Sequence, residues 1–394
     1  MTEKKEVRDA NLRFALMNVF FWMEMGAVSS FAANLLSAYH CTSGQIGLVT
    51  AIGTLLAFLL EPPLASLADR SVRWNPGNIL SLMSVLMAVL AVLQLLPGMS
   101  ALAVSILLLF ALMLVNAGLP MVNSLLYMAP VEASEMNFGF GRAAGSLGFA
   151  ILSLVLGRLI SAYSVRFISI AAVVCAIGLL LSTQLILRHA DTRTIKAEEK
   201  AAQAGTYKEL FAAHPKFLFF LIGCILVFLC HNAVVNFFIY VTRGVGGNDA
   251  DMGAILSFQA LIELPGMILA KKAIKKAGCA KILMISLLAF TLKQFAYWQA
   301  KTIPQLYAAC LLEGLSLSFF LPATVEYASR LVERKDIVKA QTCFTIVQVL
   351  GNVMGAVMAS FYSILGTSAD LLVLTIISAI GLIVSALTID WKIK

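Results

Sequence analysis

Long apolar runs separated by short polar stretches fill this chain from end to end. Runs of about twenty or more mostly apolar residues fall near 12–38, 44–66, 77–96, 100–127, 141–162, 165–187, 215–242, 250–272, 280–299, 303–329, 338–362 and 369–390. In lipid no water is present to bond exposed backbone, so a spanning segment must satisfy its own N–H and C=O groups as a helix. The pattern therefore predicts an all-α integral membrane protein with twelve transmembrane helices. A polar stretch from Arg188 to Pro215, carrying Lys196, Glu198, Glu199 and Lys200, divides the segments six and six. The expected organisation is an N-terminal six-helix bundle over 1–187, a cytoplasmic linker with a short amphipathic helix over 188–214, and a C-terminal six-helix bundle over 215–394. The first segment follows Lys4, Lys5, Arg8 and Arg13, as a signal peptide would. Its length and the polar Asn18, Glu24 and Asn34 favour an uncleaved first span instead.

Composition agrees. Apolar residues make up 60% of the 394 and charged residues 13%, and the mean hydropathy is +0.90. That much apolar surface cannot be hidden inside soluble domains. With the N-terminus placed inside and the segments alternating, the cytoplasmic stretches collect 24 of the 29 lysines and arginines. Outside lie Arg158, Arg166, Arg243 and Lys301, and Lys293 falls within a helix. This asymmetry predicts a multi-pass inner-membrane protein with both termini cytoplasmic. It also explains the net charge of +8 as a topology device, so no nucleic-acid partner is expected. Tyr163, Tyr297 and Trp298 near outer ends suit an interfacial aromatic belt. Seven cysteines lie mostly in apolar runs with no CxxC or zinc spacing, which predicts packing residues rather than metal ligands or disulfides. No cofactor is expected, and no nucleophile elbow or phosphate loop marks an enzyme.

Two stretches repeat at an offset of 202 residues. Glu61-Pro62-Pro63 and Leu67-Ala68-Asp69-Arg70 correspond to Glu263-Leu264-Pro265 and Leu269-Ala270-Lys271-Lys272, and Leu119-Pro120 to Leu321-Pro322. A long internal repeat in an apolar chain is a signature of secondary transporters built from two fused halves.

With its twelve segments, two halves and longer middle loop, the chain resembles the major facilitator superfamily. That family's signature after helix 2 is Gly-x-x-x-Asp-Arg-x-Gly-Arg-Arg/Lys. Here Asp69, Arg70 and Arg73 are kept while Ala65 and Val72 replace both glycines. Within the superfamily the chain looks most like the proton-symporter branch of lactose permease and the nucleoside and phenylpropionate permeases. Glu263-x-Pro265 and the Gly141-Arg142-Ala143-Ala144-Gly145 opening of the fifth segment carry that likeness. The fifth segment lacks the proline of drug antiporters, and it lacks the internal arginine and tryptophan needed for lactose.

Ionisable groups within a bilayer are costly and each is a functional candidate. Glu24 lies about twelve residues into the first segment, Glu313 about ten into the tenth and His231 about sixteen into the seventh. Asn116 and Asn123 share one face of the fourth. The resemblance implies that segments 1, 4, 7 and 10 line a central cavity. It implies that Glu263 contacts substrate and Glu313 takes a proton, with Lys293 and His231 tuning it. Asp69, Arg70 and Arg73 would close an inner gate. Glu24 is a candidate for either coupling or substrate, and Asn116 and Asn123 for substrate. Each has a structural alternative: Glu24 as a permanently protonated acid, Lys293–Glu313 as a structural ion pair, Lys293 as a snorkelling cation, His231 as a satisfied bundle histidine, and the gate residues as topology anchors. Gln341, Thr345, Gln348, Asn352 and Gly355 form one face of segment 11, read as a helix-packing face.

The functional expectation is a monomeric secondary transporter importing a small organic solute (sugar, nucleoside or aromatic acid) with a proton, by alternating access. An exporter, a uniporter and a non-transporting sensor are the alternatives.

Overall fold

A computed structural model describes residues 2–71, 73–128, 131, 135–189, 207–333 and 336–393, excepting the side chains of Thr2, Glu3, Asp69, Val338 and Ser363. The expected linker residues Lys196, Glu198, Glu199 and Lys200 lie outside the described residues.

Helices account for all regular structure among the described residues. Eleven are long and apolar enough to cross a membrane, and a bent pair makes a twelfth span. We number the spans α1 (Thr2–Met25, continued by Gly26–Ser30 and Ala32–Ala38), α2 (Ser43–Arg70), α3 (Pro76–Gln94), α4 (Ala101–Ser124), α5 (Phe138–Ala162) and α6 (Phe167–Leu187). They continue as α7 (Pro215–Asn236, continued by Phe238–Gly244), α8 (Asp249–Ala277), α9 (Cys279–Gln299), α10 (Ile303–Leu331), α11 (Ile337–Ala359) and α12 (Thr367–Thr388). The polar stretch contributes a short helix at Tyr207–Ala213.

Local sequence sets many of these boundaries. Thr42 caps α2 by accepting from the Gln45 N–H, with the Gln45 side chain returning the bond. Asn75 caps α3 ahead of Pro76, and Asn248 caps α8 in a box with Asp251. Three spans depart from the expected continuous helices. α1 bends by 42° after a π-helical turn at Gly26–Ser30. α7 breaks at Phe237, whose N–H bonds the Val234 carbonyl. α10 tightens into a 3₁₀ turn at Leu311–Gly314 before resuming at Leu317. Hydropathy is blind to such changes, because a window averaged over about twenty residues stays apolar across each break.

Contacts divide the chain into two compact units, Met1–Glu198 with Met252–Ser257, and Glu199–Asp251 with Phe258–Lys394. Within the first, α1 packs on α5 and α6, and α3 on α4 and α6. Within the second, α7 packs on α11 and α12, and α9 on α10 and α12. The pairings of the second unit repeat those of the first six helices later. The sequence repeat thus has a packing counterpart, since an internal duplication copies helix faces as well as residues.

Small residues make the closest approaches. A Cβ on Gly145 would enter the ring of Trp22 on α1, so α5 needs hydrogen there. Gly351 and Gly355 of α11 sit likewise on Phe228, Leu229 and Ala233 of α7, and Asn236 donates to Asn352 at 2.6 Å beside them. All seven cysteines are buried free thiols. Tyr297 corrects one expectation. It is buried, with its hydroxyl 3.3 Å from the Cys310 sulfur, so its ring packs inside the bundle rather than facing outward as a belt residue would. Tyr163 is 74% exposed.

Candidate functional site

The second unit holds a buried ionic cluster on three helices. Lys293 projects from α9 and its ammonium forms an ion pair with Glu313 Oε2, in the 3₁₀ turn of α10. Lys293 Nζ also lies 3.3 Å from His231 Nδ1 on α7. Lys293 is 2% exposed and Glu313 0%, so water screens neither charge. Each therefore depends on the other, because an isolated buried charge is strongly unfavourable. The imidazole nitrogen facing an ammonium is an acceptor, which places any ring proton on Nε2.

Aromatic rings wall the cluster. Phe290 lies with its centroid 5.0 Å from Lys293 Nζ and 4.9 Å from the His231 ring. Phe228 and Phe320 pack together at 4.6 Å, their rings tilted by 47°. This wall lowers the local dielectric, and it offers the ammonium a cation–π face on one side.

The tight turn has its own supports. Ser286 of α9 donates to the Ser316 carbonyl at 2.7 Å, a second bond to an oxygen that also accepts from the Phe320 N–H at 3.0 Å just past the turn. Ser318 donates to the Glu263 carbonyl of α8 at 3.1 Å. Pro265 lies within α8 and brings no N–H to that ladder. Next to it, a Cβ on Gly266 would collide with the Gly314 carbonyl, so α8 meets the turn with no side chain between. Gln259, one turn before Glu263, places its carboxamide beside the Glu313 carboxylate.

Of the sequence candidates, the structure brings together Lys293, Glu313 and His231. Glu263 lies one helix away and half-buried, its backbone rather than its carboxylate joined to α10 by Ser318. Glu24 belongs to the first unit. It is 0% exposed, and neither carboxylate oxygen has a hydrogen-bond partner among the described residues. It sits just before the π-helical turn of α1, with the Cys175 thiol of α6 as a titratable neighbour. Asn116 is half-buried and spends its amide on the Leu112 carbonyl of its own helix, while Asn123 is exposed. Arg70 ends α2 and is exposed, Arg73 follows in the turn 5.9 Å from the Trp74 ring, and the Asp69 side chain lies outside the described residues.

Gln259 and Ser286 were not among the sequence candidates. Gln259 carried a signal, standing four residues before Glu263 and so on the same helical face. Ser286 had none, because its partner is a backbone carbonyl on another helix, and backbone acceptors carry no sequence signal. In the first unit Arg142 stacks over the Trp22 ring at 3.8 Å and donates to Ser146 at 2.6 Å. The α5 arginine thus finds its aromatic partner on α1. Among the described residues no group of His, Cys, Asp or Glu has metal-binding geometry.

Known proteins share this architecture. The crystal structure of the nucleoside transporter NupG superposes with a TM-score of 0.77 at 14% identity, covering 96% of this chain and 98% of NupG. A bacterial homologue of the human lysosomal transporter Spinster, inward-facing and unoccupied, gives 0.69 at 14% identity over 97% and 95%. Among sequence relatives, the maltose permease of Geobacillus stearothermophilus is 26% identical over 327 residues, 82% of this chain and 80% of the permease. A putative sugar efflux transporter of Deinococcus radiodurans is 23% identical over 352 residues, 86% and 88% of the two chains. The model of the MFS_1 like family matches residues 12–369. With that match running through nearly every span, the chain belongs to the MFS_1 like family: it is a multi-pass membrane transporter of the major facilitator superfamily, not an enzyme.

Proposed function

We propose that this protein is a proton-coupled importer of a small polyhydroxylated or heterocyclic solute, a sugar or a nucleoside, working by alternating access of two six-helix bundles. The bundles would be 1–187 and 215–394, joined by the 188–214 linker, in a monomer with both termini in the cytoplasm. The buried Lys293–Glu313–His231 cluster carries the reading. A carboxylate whose counter-ion is a lysine can take up a proton only if the lysine is re-satisfied elsewhere, and His231 Nδ1 stands at 3.3 Å to receive it. Proton occupancy of Glu313 is thereby tied to side-chain positions on α7, α9 and α10, as coupling requires.

Glu263, Asn116, Asn123 and Glu24 are the proposed substrate-side groups, and Asp69, Arg70 and Arg73 the inner gate. The substrate class is supported by the maltose permease and NupG, as proteins of similar sequence or fold. Export is the second reading, favoured by the likeness to a sugar efflux transporter.

Glu313→Gln should abolish proton-driven accumulation of sugar or nucleoside in reconstituted vesicles while solute exchange continues. Accumulation against a gradient by that variant would overturn the coupling role. Symport further requires external alkalinisation when substrate is added to energy-depleted cells, which neither an exporter nor a uniporter gives.

A further inference from the structure

α8 is longer than a bilayer core is thick. Its 29 residues reach about 43 Å, while the hydrocarbon core is about 30 Å across. About 13 Å of helix must therefore stand in the headgroup layers or beyond them. The last seven residues are Lys271-Lys272-Ala273-Ile274-Lys275-Lys276-Ala277, and all four lysines are exposed.

This final stretch has two faces. Ala273, Ile274 and Ala277 pack on the core of the second unit, as the buried Ala270 does just before them. On the other side, Leu261, Pro265, Ile268 and Leu269 are exposed, Ile268 by 71%, and on a membrane span such an apolar stripe faces lipid. At about 100° per residue, Lys272, Lys275 and Lys276 fall on or within about 20° of the sector those four occupy, with Lys271 at its flank. The depth also fits. The three lysines follow Leu269 by about 5–10 Å along the helix, and the headgroup layer of one leaflet is about 5–8 Å thick.

Their charges are unspent. Ion pairs at this end of the second unit join Glu326 to Arg330 and Asp336 to Lys339, and the four lysines have no counter-ion among the described residues. Gly278, with a φ of +89°, turns the chain at once into α9, where Lys281 is exposed in the first turn. Membrane orientation alone does not demand this grouping. The positions 202 residues earlier are Asp69, Arg70, Arg73 and Trp74, two cations beside an acid. There α2 stops at Arg70, the equivalent of Lys272, whereas α8 runs five residues further and sets its lysines on one helical face.

We propose that the end of α8 is a binding site for an anionic phospholipid. The acyl chains lie along Leu261, Ile268 and Leu269, and the phosphate is held by Lys272, Lys275 and Lys276, with Lys271 and Lys281 adding to the field. A cluster of lysines just past a membrane span is the feature that attracts anionic headgroups, and one continuous stripe here serves both ends of the lipid. A soluble phosphate would use the lysines and leave the apolar stripe without a role. The chemistry is the same in either leaflet, and it is independent of the proton step at Glu313.

The test is native mass spectrometry of the full chain, released from detergent micelles titrated with phosphatidylglycerol or phosphatidylcholine. The wild-type chain should retain one phosphatidylglycerol in preference to phosphatidylcholine, and excess inorganic phosphate should not displace it. Changing Lys272, Lys275 and Lys276 together to glutamine should weaken phosphatidylglycerol binding about 100-fold, at about fivefold per lysine, and changing them to arginine should preserve it. Arg158→Gln/Arg166→Gln/Lys301→Gln, which removes three exposed cations elsewhere, should also preserve it. If the triple glutamine variant does not fold, Lys272→Gln and Lys276→Gln singly should each weaken binding about fivefold. A wild-type chain with no preference, lysine variants that bind as before, an equal loss in the Arg158 triple variant, or displacement by phosphate overturns the proposal.

Discussion

Replacing Lys293 by methionine keeps an unbranched side chain one atom shorter and removes its charge, which leaves Glu313 buried beside a neutral chain. The expected cost follows from burial. At 2% and 0% exposure the pair is unscreened, so removing one partner should destabilise the fold by about 3–5 kcal/mol. The cost of one charge at the centre of a bilayer helix, about 3 kcal/mol on insertion scales, gives the same size. Glu313→Gln alone strands the ammonium, partly relieved by His231 and the Phe290 face, and should cost toward the low end. Combining Lys293→Met with Glu313→Gln removes both charges and should recover most of the loss, giving a coupling of about 3 kcal/mol in the double-mutant cycle. The chain supplies its own reporter, because all seven thiols are buried and a thiol-reactive fluorophore will light up only on unfolding. Thermal melts of the four proteins in one detergent complete the cycle. Additive losses, with the double variant as unstable as the sum of its parents, would refute the idea that the two charges are stable only as a pair.

Three further outcomes are expected. Ser286→Ala should lower stability by about 1 kcal/mol, since it removes a buried bond from α9 to the Ser316 carbonyl, and an unchanged melt would show that the Phe320 N–H alone satisfies that oxygen. Gly266→Ala should lower stability by about 1–3 kcal/mol by forcing α8 off the Gly314 carbonyl, with Ala270→Gly, away from that contact, as the comparison. Glu24→Gln should leave the melting temperature unchanged or raise it, because it removes an acid with no partner; a fall of several degrees would mean that the carboxyl is bonded in the membrane-embedded protein.

Much of the architecture was legible because the bilayer imposes it. A helix that must satisfy its own backbone announces itself as an apolar run, and each expected segment has its helix. Lys293 and Glu313 were legible for a related reason, since an ionisable residue deep in such a run stands out against its neighbours. Their meeting with His231 was expected only through the family resemblance, because register between helices depends on small and aromatic faces that give no pairwise signal. The breaks in α7 and α10 also escaped, as Phe237 and Leu311–Gly314 look no different from helix. Tyr297 was misplaced for lack of depth information: near a segment end, a tyrosine that faces lipid headgroups and one that faces Cys310 read alike.

The 3₁₀ turn beneath Glu313 has a mechanical consequence. Four residues wound at three per turn advance about 120° each, against about 100° in an α-helix, and rise about 2.0 Å each rather than 1.5 Å. Rewinding Leu311–Gly314 as α-helix would therefore rotate everything beyond by about 80° and shorten the span by about 2 Å. Swinging the carboxylate away from Lys293 and screwing the far half of α10 would then be one motion, a torsional linkage in which the charge is the handle and the helix the shaft.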